Sequence, residues 1–426
     1  MTRTDDAVFV KCAWRLIPFI FILYLVNFID RVNVGFAALT MNTDLQFSPA
    51  VYGFGAGILF AGYALFQVPS NLILAKVGAR RWMFVILLVW GVISASTAFV
   101  TTPLSFYIVR FFLGIAEAGF FPGMVLYLTY WFPKVFRARF VALFMVAIPF
   151  SYVVGGPLST FILTRMDEVS GLRGWQWMFL IEGLPASLLA FVVLKFLPSG
   201  PFDAPWLTDS ERQTIRERLS FEDTAGHQAF GPVLLDPRVY LLGIVYLGYA
   251  TAYYGVQSWL PLIVQGMGFS NTATGFVVAA PFLIAMIAMV LWGQSSDRTG
   301  ERIWHVAIPL ILAAAGLLVA SAVPSNIVVF LALTAVLIGV MSFQGPFWTL
   351  PPLFFGGSAA AGGIALINTI GTGGGGFVGP YIIGVFREAT GDFALAMAVL
   401  AIAPAIGAAL ALALKRSVVQ KPAIAE

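Results

Sequence analysis

Charged residues are scarce in this chain of 426 residues, because Asp, Glu, Lys and Arg together make up only 10%. A typical soluble domain carries about 25%. Hydrophobic residues reach 60%, and the mean hydropathy is +0.91. This composition predicts a membrane protein that crosses the bilayer many times. The formal net charge of +4 is spread through short loops, so we expect the lipid bilayer, and no nucleic acid, as a partner.

Cysteine and histidine are also nearly absent. A single cysteine, Cys12, excludes a disulfide framework and a cysteine-rich metal site. His227 and His305 lie far apart in the sequence, so a metal centre built from histidines is not predicted. The N-terminus is short and polar, and the first apolar segment is too long for a signal-peptide core. We therefore expect neither a metal cofactor nor a cleaved leader.

Apolar segments of membrane-spanning length recur along the whole chain. A spanning helix needs about 20 apolar residues. Breaks at proline, glycine and charged clusters give twelve segments, at 14–41, 50–75, 80–101, 104–132, 137–164, 176–197, 238–266, 270–295, 302–322, 326–354, 358–386 and 393–415. The alternating pattern of barrel strands is missing. The sequence therefore predicts an all-α polytopic fold with twelve transmembrane helices.

One connection, at 198–237, is much longer than the others. It begins with several prolines and continues with Thr208-Asp209-Ser210-Glu211. A threonine followed three residues later by a glutamate fits a capping box, which predicts a short amphipathic helix through Leu219. We therefore divide the chain into an N-terminal six-helix bundle at 1–199, a cytoplasmic linker at 200–237 and a C-terminal six-helix bundle at 238–426.

Lysine and arginine are distributed very unequally between the two sides of the membrane. With a cytoplasmic N-terminus, nineteen of them lie on the inner side, and only Arg165, Arg173 and Arg387 lie on the outer side. Positive residues favour the cytoplasmic side. This bias predicts an integral protein of the cell (inner or plasma) membrane with both termini in the cytoplasm. Arg31 and Arg110 are left inside the membrane.

The two halves of the chain repeat each other at an offset of 222 to 224 residues. The paired landmarks are 71–80 with 293–302, Pro122 with Pro346, and Gly156-Pro157 with Gly379-Pro380. Three landmarks at nearly one offset predict parallel six-helix repeats, related by a pseudo-two-fold axis along the membrane normal. Repeats of this kind place a substrate site near the bilayer midplane, between the halves.

Several motifs together resemble the major facilitator superfamily. Residues 293–302 match its G-x-x-x-D-R-x-G-x-R/K loop, while the first-half copy has Asn71 for glycine and Ala75 for aspartate. Longer stretches resemble the anion:cation symporter branch, namely 24–33, 69–72, 110–119, 175–177, 181–183 and 363–368. The resemblance implies a monomeric transporter that takes up a small organic anion by alternating access, with protons as the coupling ion and no other cofactor.

Four charged residues lie inside predicted membrane helices, where they are costly and usually functional. Asp30 and Arg31 are adjacent and therefore point about 100° apart on a helix. Arg110 and Glu117 are seven residues apart and share one helical face. We predict proton coupling at Asp30 and Glu117 and binding of the anion at Arg31 and Arg110. The alternative is that these residues form structural ion pairs.

Neutral residues complete the predicted substrate site. Tyr63 could bond the substrate carboxylate or Arg31, and in the second half Tyr246, Tyr249, Tyr253 and Gln257 fall on one helical face. The resemblance adds two further residues, Trp348 and Asn368. Simple helix packing is the alternative for each. Because the second half has no charge in the middle of any segment, we expect coupling in the N-half and recognition of substrate shape largely in the C-half.

Three other features have predicted roles outside the substrate site. The cytoplasmic loops carry the predicted gating residues Lys76, Arg80, Asp297, Arg298 and Arg302. Positive-inside topology alone would explain the basic ones. The glycine-rich run at 371–376 predicts close helix packing, and it could also bend its helix. Glu182 is expected to be an acid at the membrane interface.

These observations predict proton-coupled symport of a small carboxylate. The motifs are similar to those used for sugar acids, tartrate-like hydroxy acids and aromatic acids. Aromatic candidates such as Phe28 and Phe347 favour an aromatic or compact carboxylate. The alternatives are an uncoupled facilitator or anion exchanger and, with less support, a receptor on a transporter scaffold. An enzyme is not expected, because no nucleophile–base pair or metal cluster is recognisable.

Overall fold

The computed structural model describes residues 3–223, 235–354 and 357–419, and this part of the chain is helical with short connections. Part of the predicted linker, including His227, lies outside the described residues. The helices are α1 (Arg3–Asp44), α2 (Pro49–Val77), α3 (Ala79–Ser96), α4 (Pro103–Glu117), α5 (Phe120–Thr129), α6 (Lys134–Arg165), α7 (Gly174–Phe196), α8 (Asp209–Asp223), α9 (Pro237–Gly266), α10 (Asn271–Thr299), α11 (Ile303–Ala322), α12 (Asn326–Trp348), α13 (Pro351–Phe354), α14 (Gly357–Asn368), α15 (Gly376–Thr390) and α16 (Ala394–Val419).

The predicted all-α membrane fold is confirmed. In the described chain, eleven helical stretches are long and apolar enough to cross a membrane, and one of them combines α4 and α5. The remaining predicted segment, at 358–386, consists of α14, a π-helix at Thr369–Gly375 and α15, which follow one another without a break. The predicted segment at 104–132 is confirmed as one candidate span, Pro103–Thr129, and within it the chain makes a turn at Ala118-Gly119 between α4 and α5. A Cβ at Gly119 would lie 1.7 Å from Ser70 Oγ, so this position needs glycine.

Each half is a bundle of neighbouring helices. In the N-half, α3 packs on α7, α2 on α4, and α1 on α6. In the C-half, α11 packs on α12 and α16, and α9 on α15 and α16. The halves meet where α1 contacts α9, where α2 contacts α15, and where α6 contacts α10. The exact domain boundaries remain a prediction.

The halves are closed against each other near one face of the membrane. We call the face where α1 begins the terminal face, and the face where α1 ends and α2 begins the distal face. Toward the distal face, a Cβ at Gly53 would lie 2.6 Å from the Pro380 carbonyl, and one at Gly275 would lie 2.5 Å from the Gly156 carbonyl. The backbones therefore touch, as small residues permit. These two contacts define the distal seam.

Polar contacts reinforce the distal seam. The Ser48 hydroxyl donates to Glu388 at 2.6 Å, and the Ala50 backbone N–H donates to the same carboxylate at 2.9 Å. The Tyr52 hydroxyl donates to the Ser258 carbonyl at 2.7 Å. Each of these bonds joins the N-half to the C-half. The structure therefore represents a state that is closed toward the distal face.

The linker contains the predicted helix, which runs four residues beyond the predicted end at Leu219. Its capping box is confirmed, since the Thr208 N–H donates to Glu211 Oε2 at 2.8 Å and the Glu211 N–H donates to Thr208 Oγ1 at 3.3 Å. Lys11 of α1 also binds Glu211, at 2.8 Å. This hydrogen-bonded ammonium group lowers the pKa of the Glu211 carboxyl. The contact docks α8 on the N-half.

Candidate functional site

Arg31 and Glu117 form a buried ion pair at the centre of the N-half. The Arg31 Nε and Nη2 atoms donate to Glu117 Oε2 at 3.0 and 2.7 Å. Their side chains are 8% and 0% exposed. The guanidinium also lies 5.3 Å from the ring centroids of Phe28 and Tyr63. Tyr63 therefore lies against Arg31, as one of its predicted roles requires, although its part in substrate binding stays a prediction.

Asp30 is bound by neutral donors. Its Oδ1 accepts hydrogen bonds from the Ser94 hydroxyl and, at 2.9 Å, from Asn33 Nδ2, while its Oδ2 accepts one from Trp90 Nε1 at 2.5 Å. Trp90 and Ser94 both belong to α3. Adjacent residues thus have different partners, as their angular separation on α1 predicts. Trp90 and Ser94 could not be identified as partners of Asp30 from the sequence, because both residues fit an ordinary apolar helix.

Arg110 is buried without a full set of partners. Its side chain is 2% exposed. Its Nε and Nη1 atoms have no hydrogen-bond partner, and neither has Glu117 Oε1. Arg110 and Glu117 are both buried, as their shared helical face predicts, but the carboxylate binds Arg31 rather than Arg110. Two buried guanidinium donors without hydrogen-bond partners can bind a carboxylate.

The prediction that Glu182 is an interfacial acid is wrong. The helix α7 already begins at Gly174, so Glu182 lies more than two turns inside it and is 4% exposed. The Ser159 hydroxyl of α6 donates to Glu182 Oε1 at 2.7 Å. The other oxygen, Oε2, has no partner.

The N-half therefore buries more acid than base. Among the described residues, the buried acidic and basic side chains are Asp30, Arg31, Arg110, Glu117 and Glu182. There are three carboxyl groups and only two guanidinium groups, so the guanidiniums cannot neutralise all the carboxylates. A buried charge without a partner costs several kcal/mol. Binding a proton at one or more of these carboxyls removes that cost.

The tyrosine stripe of α9 forms a continuous aromatic wall. Tyr246 stacks on Tyr249 at 5.1 Å between ring centroids, and Tyr249 stacks on Tyr253 at 5.7 Å. Gln344 of α12 donates a hydrogen bond to the Tyr249 hydroxyl. The Tyr253 hydroxyl and Gln257 Oε1 are buried without partners. The predicted shared face is confirmed for the three tyrosines, while the place of Gln257 on it and the roles of these residues in binding remain predictions.

Trp348 and Asn368 border this wall and are only half-buried. Trp348 lies 4.9 Å from the Tyr246 ring. The Thr372 hydroxyl donates to Asn368 Oδ1 at 2.8 Å. Thr372 belongs to the π-helix, a geometry that occurs often at functional sites. The glycine-rich run hinted at this bend but did not identify its hydrogen-bonding pattern.

The predicted gating residues lie near the terminal face. Arg302 binds Asp297 at 2.8 Å and connects the end of α10 to the start of α11. Arg298 and Lys76 are exposed, and Arg80 donates to the Leu194 carbonyl. These described contacts each stay within one half. Gating by these residues therefore remains a prediction that needs another conformation.

An apolar groove of about 620 Å³ lies elsewhere, between α1 and α6 near the terminal face, and Trp14, Ile17 and Phe140 contribute to its lining. It contains none of the candidate site residues. The chemistry of the described chain is therefore concentrated in the enclosed centre rather than in this groove.

A helical membrane protein with two bundles and a charged, enclosed centre belongs to the class of membrane transporters. The sequence pattern of the Major Facilitator Superfamily matches residues 20–380, and the chain belongs to this family. The predicted family is thereby confirmed.

Relatives and solved structures agree with this assignment. The chain is 49% identical over 411 residues to an Agrobacterium vitis protein whose name describes it as a tartrate transporter, covering 96% of this chain and 91% of that protein. It is 41% identical over 390 residues to NicT of Pseudomonas putida KT2440, named as a metabolite transport protein, covering 90% and 89%. The structure resembles a bacterial homologue of the human lysosomal transporter Spinster, in an inward-facing and occupied conformation, with a TM-score of 0.77 at 17% identity and coverage of 94% and 96%.

Proposed function

We propose that this transporter takes up a small organic anion together with protons, by alternating access. The observation that carries the proposal is the arrangement of the two buried arginines. Glu117 holds Arg31 through two hydrogen bonds, whereas Arg110 keeps two buried donors without partners. The Arg110 guanidinium can thus bind a carboxylate directly, and the Arg31 guanidinium can bind one after its hydrogen bonds to Glu117 break.

Protonation of Glu117 breaks its ion pair with Arg31 and so frees the Arg31 donors. In the structure, its carboxylate occupies the Nε and Nη2 donors of Arg31, which are the donors that a substrate carboxylate would use. A neutral carboxylic acid is a much weaker partner for a guanidinium than a carboxylate. The substrate and the proton therefore favour the same state of Arg31, and this shared preference is thermodynamic coupling.

Asp30 is the second proton carrier in this proposal. It lies beside Arg31 in the sequence but takes its hydrogen bonds from Ser94, Trp90 and Asn33. Protonation of both Asp30 and Glu117 removes two negative charges from the buried cluster. The remaining positive charge on Arg31 and Arg110 then matches an incoming anion, which lowers the cost of closing the protein around it.

The preferred substrate in this proposal is a compact hydroxy-dicarboxylate. Two guanidinium groups suit two carboxylates, and the unpartnered Tyr253 hydroxyl and Gln257 Oε1 suit substrate hydroxyls, because buried polar atoms need hydrogen-bond partners. The name of the Agrobacterium vitis relative agrees with this choice. An aromatic carboxylate is the second candidate, because the stacked rings of Tyr246, Tyr249 and Phe343 offer a flat surface for another ring.

The proposed location is the inner membrane, with both termini in the cytoplasm. The terminal face is then cytoplasmic and the distal face is external. The closed distal seam makes the structure an inward-facing or enclosed state. We further propose that the protein works as a monomer, needs no cofactor beyond the proton, and uses Lys76, Arg80, Asp297, Arg298 and Arg302 to control opening of the terminal face.

Purified protein in liposomes tests the function. Uptake of radiolabelled tartrate, and of benzoate in parallel, is measured with an inwardly directed proton gradient and again after a protonophore collapses it. We expect gradient-dependent accumulation that disappears with the gradient. Uptake and counterflow that ignore the gradient would identify an uncoupled facilitator or exchanger. Tight binding without any flux would instead identify a receptor.

A further inference from the structure

We infer that Glu182 is a proton-transfer residue that passes protons between the distal face and Asp30. This inference rests on the proposed proton coupling and adds a residue to it. It begins from the observation that a third carboxyl is buried in the N-half, apart from the Arg31–Glu117 pair. The function proposed above uses Asp30 and Glu117 but gives this carboxyl no task.

The depth of Glu182 suits a relay. The helix α7 begins at the distal face with Gly174, and Glu182 follows about 12 Å further along the helix at a rise of 1.5 Å per residue. Asp30 lies about 21 Å from the distal end of α1 at Asp44 by the same measure. Glu182 therefore lies between the distal face and Asp30 in depth.

The serine that binds Asp30 also contacts the chain next to Glu182. The Ser94 hydroxyl donates to Asp30. A Cβ at Gly183 would lie 2.8 Å from the same Ser94 oxygen, so the absence of a side chain there lets α7 approach α3 closely. A hydroxyl both donates and accepts hydrogen bonds, so Ser94, together with water, can connect the two carboxyls.

The surroundings of Glu182 favour its neutral form. Its Oε1 accepts a hydrogen bond from the Ser159 hydroxyl, and its Oε2 has no partner. The hydroxyl that bonds it from α6 is that of Ser159, and the Ser94 hydroxyl of α3 lies beside the neighbouring Gly183. No lysine or arginine of the described chain forms an ion pair with it. An unpaired carboxylate in the membrane interior is costly, so Glu182 holds a proton when the distal seam is closed.

The transfer itself balances. The O–H bond of the Glu182 carboxylic acid breaks, and its proton passes through water and the Ser94 hydroxyl to a carboxylate oxygen of Asp30. Glu182 is left as a carboxylate and takes a new proton from the distal solvent when that side opens. No electron is transferred and no other reactant is needed.

A structural role makes a different prediction. If Glu182 only joins α7 to α6 through Ser159, a glutamine can accept the same hydrogen bond through its amide oxygen, and Glu182→Gln should be harmless. A relay residue cannot tolerate this change, because an amide does not release a proton. Ser159→Ala removes the interhelical hydrogen bond while leaving the carboxyl in place, and therefore separates the two roles.

The experiment compares Glu182→Gln, Glu182→Asp and Ser159→Ala in liposomes. Glu168→Gln is the matched control, since this acid lies in the α6–α7 connection and is 79% exposed. We expect Glu182→Gln to lower gradient-driven tartrate uptake at least tenfold while counterflow stays within twofold of the wild type. Glu182→Asp should recover part of the uptake, and Ser159→Ala and Glu168→Gln should leave it within about threefold. Infrared spectra at neutral pH should show a protonated carboxyl band that Glu182→Gln removes.

Two results would overturn the inference. One is gradient-driven uptake by Glu182→Gln within twofold of the wild type. The other is a parallel loss of uptake, counterflow and thermal stability in Glu182→Gln and Ser159→Ala, which would establish a structural role. The proposed function fails separately, when wild-type uptake shows no response to the gradient. A normal response of the wild type together with unchanged uptake by Glu182→Gln overturns the relay alone.

Discussion

The two halves share one helical plan but bury different chemistry. The N-half buries the ionisable side chains of Asp30, Arg31, Arg110, Glu117 and Glu182. The buried polar side chains of the described C-half are neutral, and they include Thr251, Gln257, Ser342, Gln344 and Thr372. The two bundles are similar in their helices, but the N-half buries charged side chains and the C-half buries neutral hydrogen-bonding and aromatic side chains.

This difference keeps the described buried ion pair away from the interface between the halves. The Arg31–Glu117 ion pair lies entirely within the N-half, so movement of the halves relative to each other does not by itself break it, and its opening is left to protonation of Glu117. An ion pair across the interface would have to be broken in each cycle, at a cost of several kcal/mol. The buried contacts of the distal seam are neutral, as in the Tyr52–Ser258 hydrogen bond. Neutral contacts are cheaper to break and remake.

The largest expected effect comes from removing either buried arginine, and the two should differ in stability. Arg31→Gln and Arg110→Gln should each lower uptake at least a hundredfold. Arg31→Gln should also destabilise the protein by about 3–5 kcal/mol, because Glu117 loses its partner. Arg110→Gln removes a guanidinium with two unpartnered donors and should not lower stability. Uptake and thermal unfolding in detergent measure both effects.

The control for this pair is the double variant Arg31→Gln with Glu117→Gln. It removes both charges of the ion pair and should recover most of the lost stability but none of the uptake. Equal destabilisation by Arg31→Gln and Arg110→Gln would contradict the assignment of different roles to the two arginines.

A smaller effect is expected at the distal seam. Gly275→Ala places a Cβ 2.5 Å from the Gly156 carbonyl, so the seam cannot close fully and uptake should fall about tenfold. A cysteine introduced at Ser258 should then become more reactive toward an impermeant thiol reagent from the distal side. Gly266→Ala is the matched control, since nothing lies within 4 Å of its added Cβ. Equal reactivity in the two variants would rule out this account of the seam.

The C-half should affect affinity without affecting coupling. Tyr253→Phe removes a buried hydroxyl that has no partner in the structure. If this hydroxyl binds substrate, its loss costs about 0.5–1.5 kcal/mol, which is a rise in KM of up to about tenfold. The dependence of uptake on the proton gradient should stay as in the wild type. Tyr381→Phe, at a half-exposed position, is the control. An altered gradient dependence in Tyr253→Phe would break the division between the halves.

The smallest effect concerns the linker. Lys11→Gln removes the ammonium group that lowers the pKa of Glu211. An exposed ion pair contributes at most about 1 kcal/mol. Because the pKa is lowered in the folded state, this contribution is present above the ordinary glutamate pKa and disappears as the pH falls through the lowered value. Thermal unfolding of Lys11→Gln should therefore differ slightly from the wild type at pH 7 and converge with it in acid.

Much of the fold follows from the sequence, because membrane helices are long and apolar and their ends are marked by charges and prolines. The angle between adjacent residues on a helix also predicted that Asp30 and Arg31 have different partners, which the structure confirms. Pairing across helices was harder to predict. The preference of Glu117 for Arg31 over Arg110, and the burial of Glu182, depend on how α1, α4, α6 and α7 pack. Hydrophobicity and spacing do not encode these contacts.

The most direct test of the central claim, that proton coupling belongs to the N-half, is transport by the double variant Asp30→Asn with Glu117→Gln. In liposomes, we expect gradient-driven accumulation of tartrate to vanish while counterflow continues, because neutral side chains imitate the protonated acids. Tyr253→Phe should accumulate tartrate in response to the gradient under the same conditions. Undiminished gradient-driven accumulation by the double variant would contradict the account.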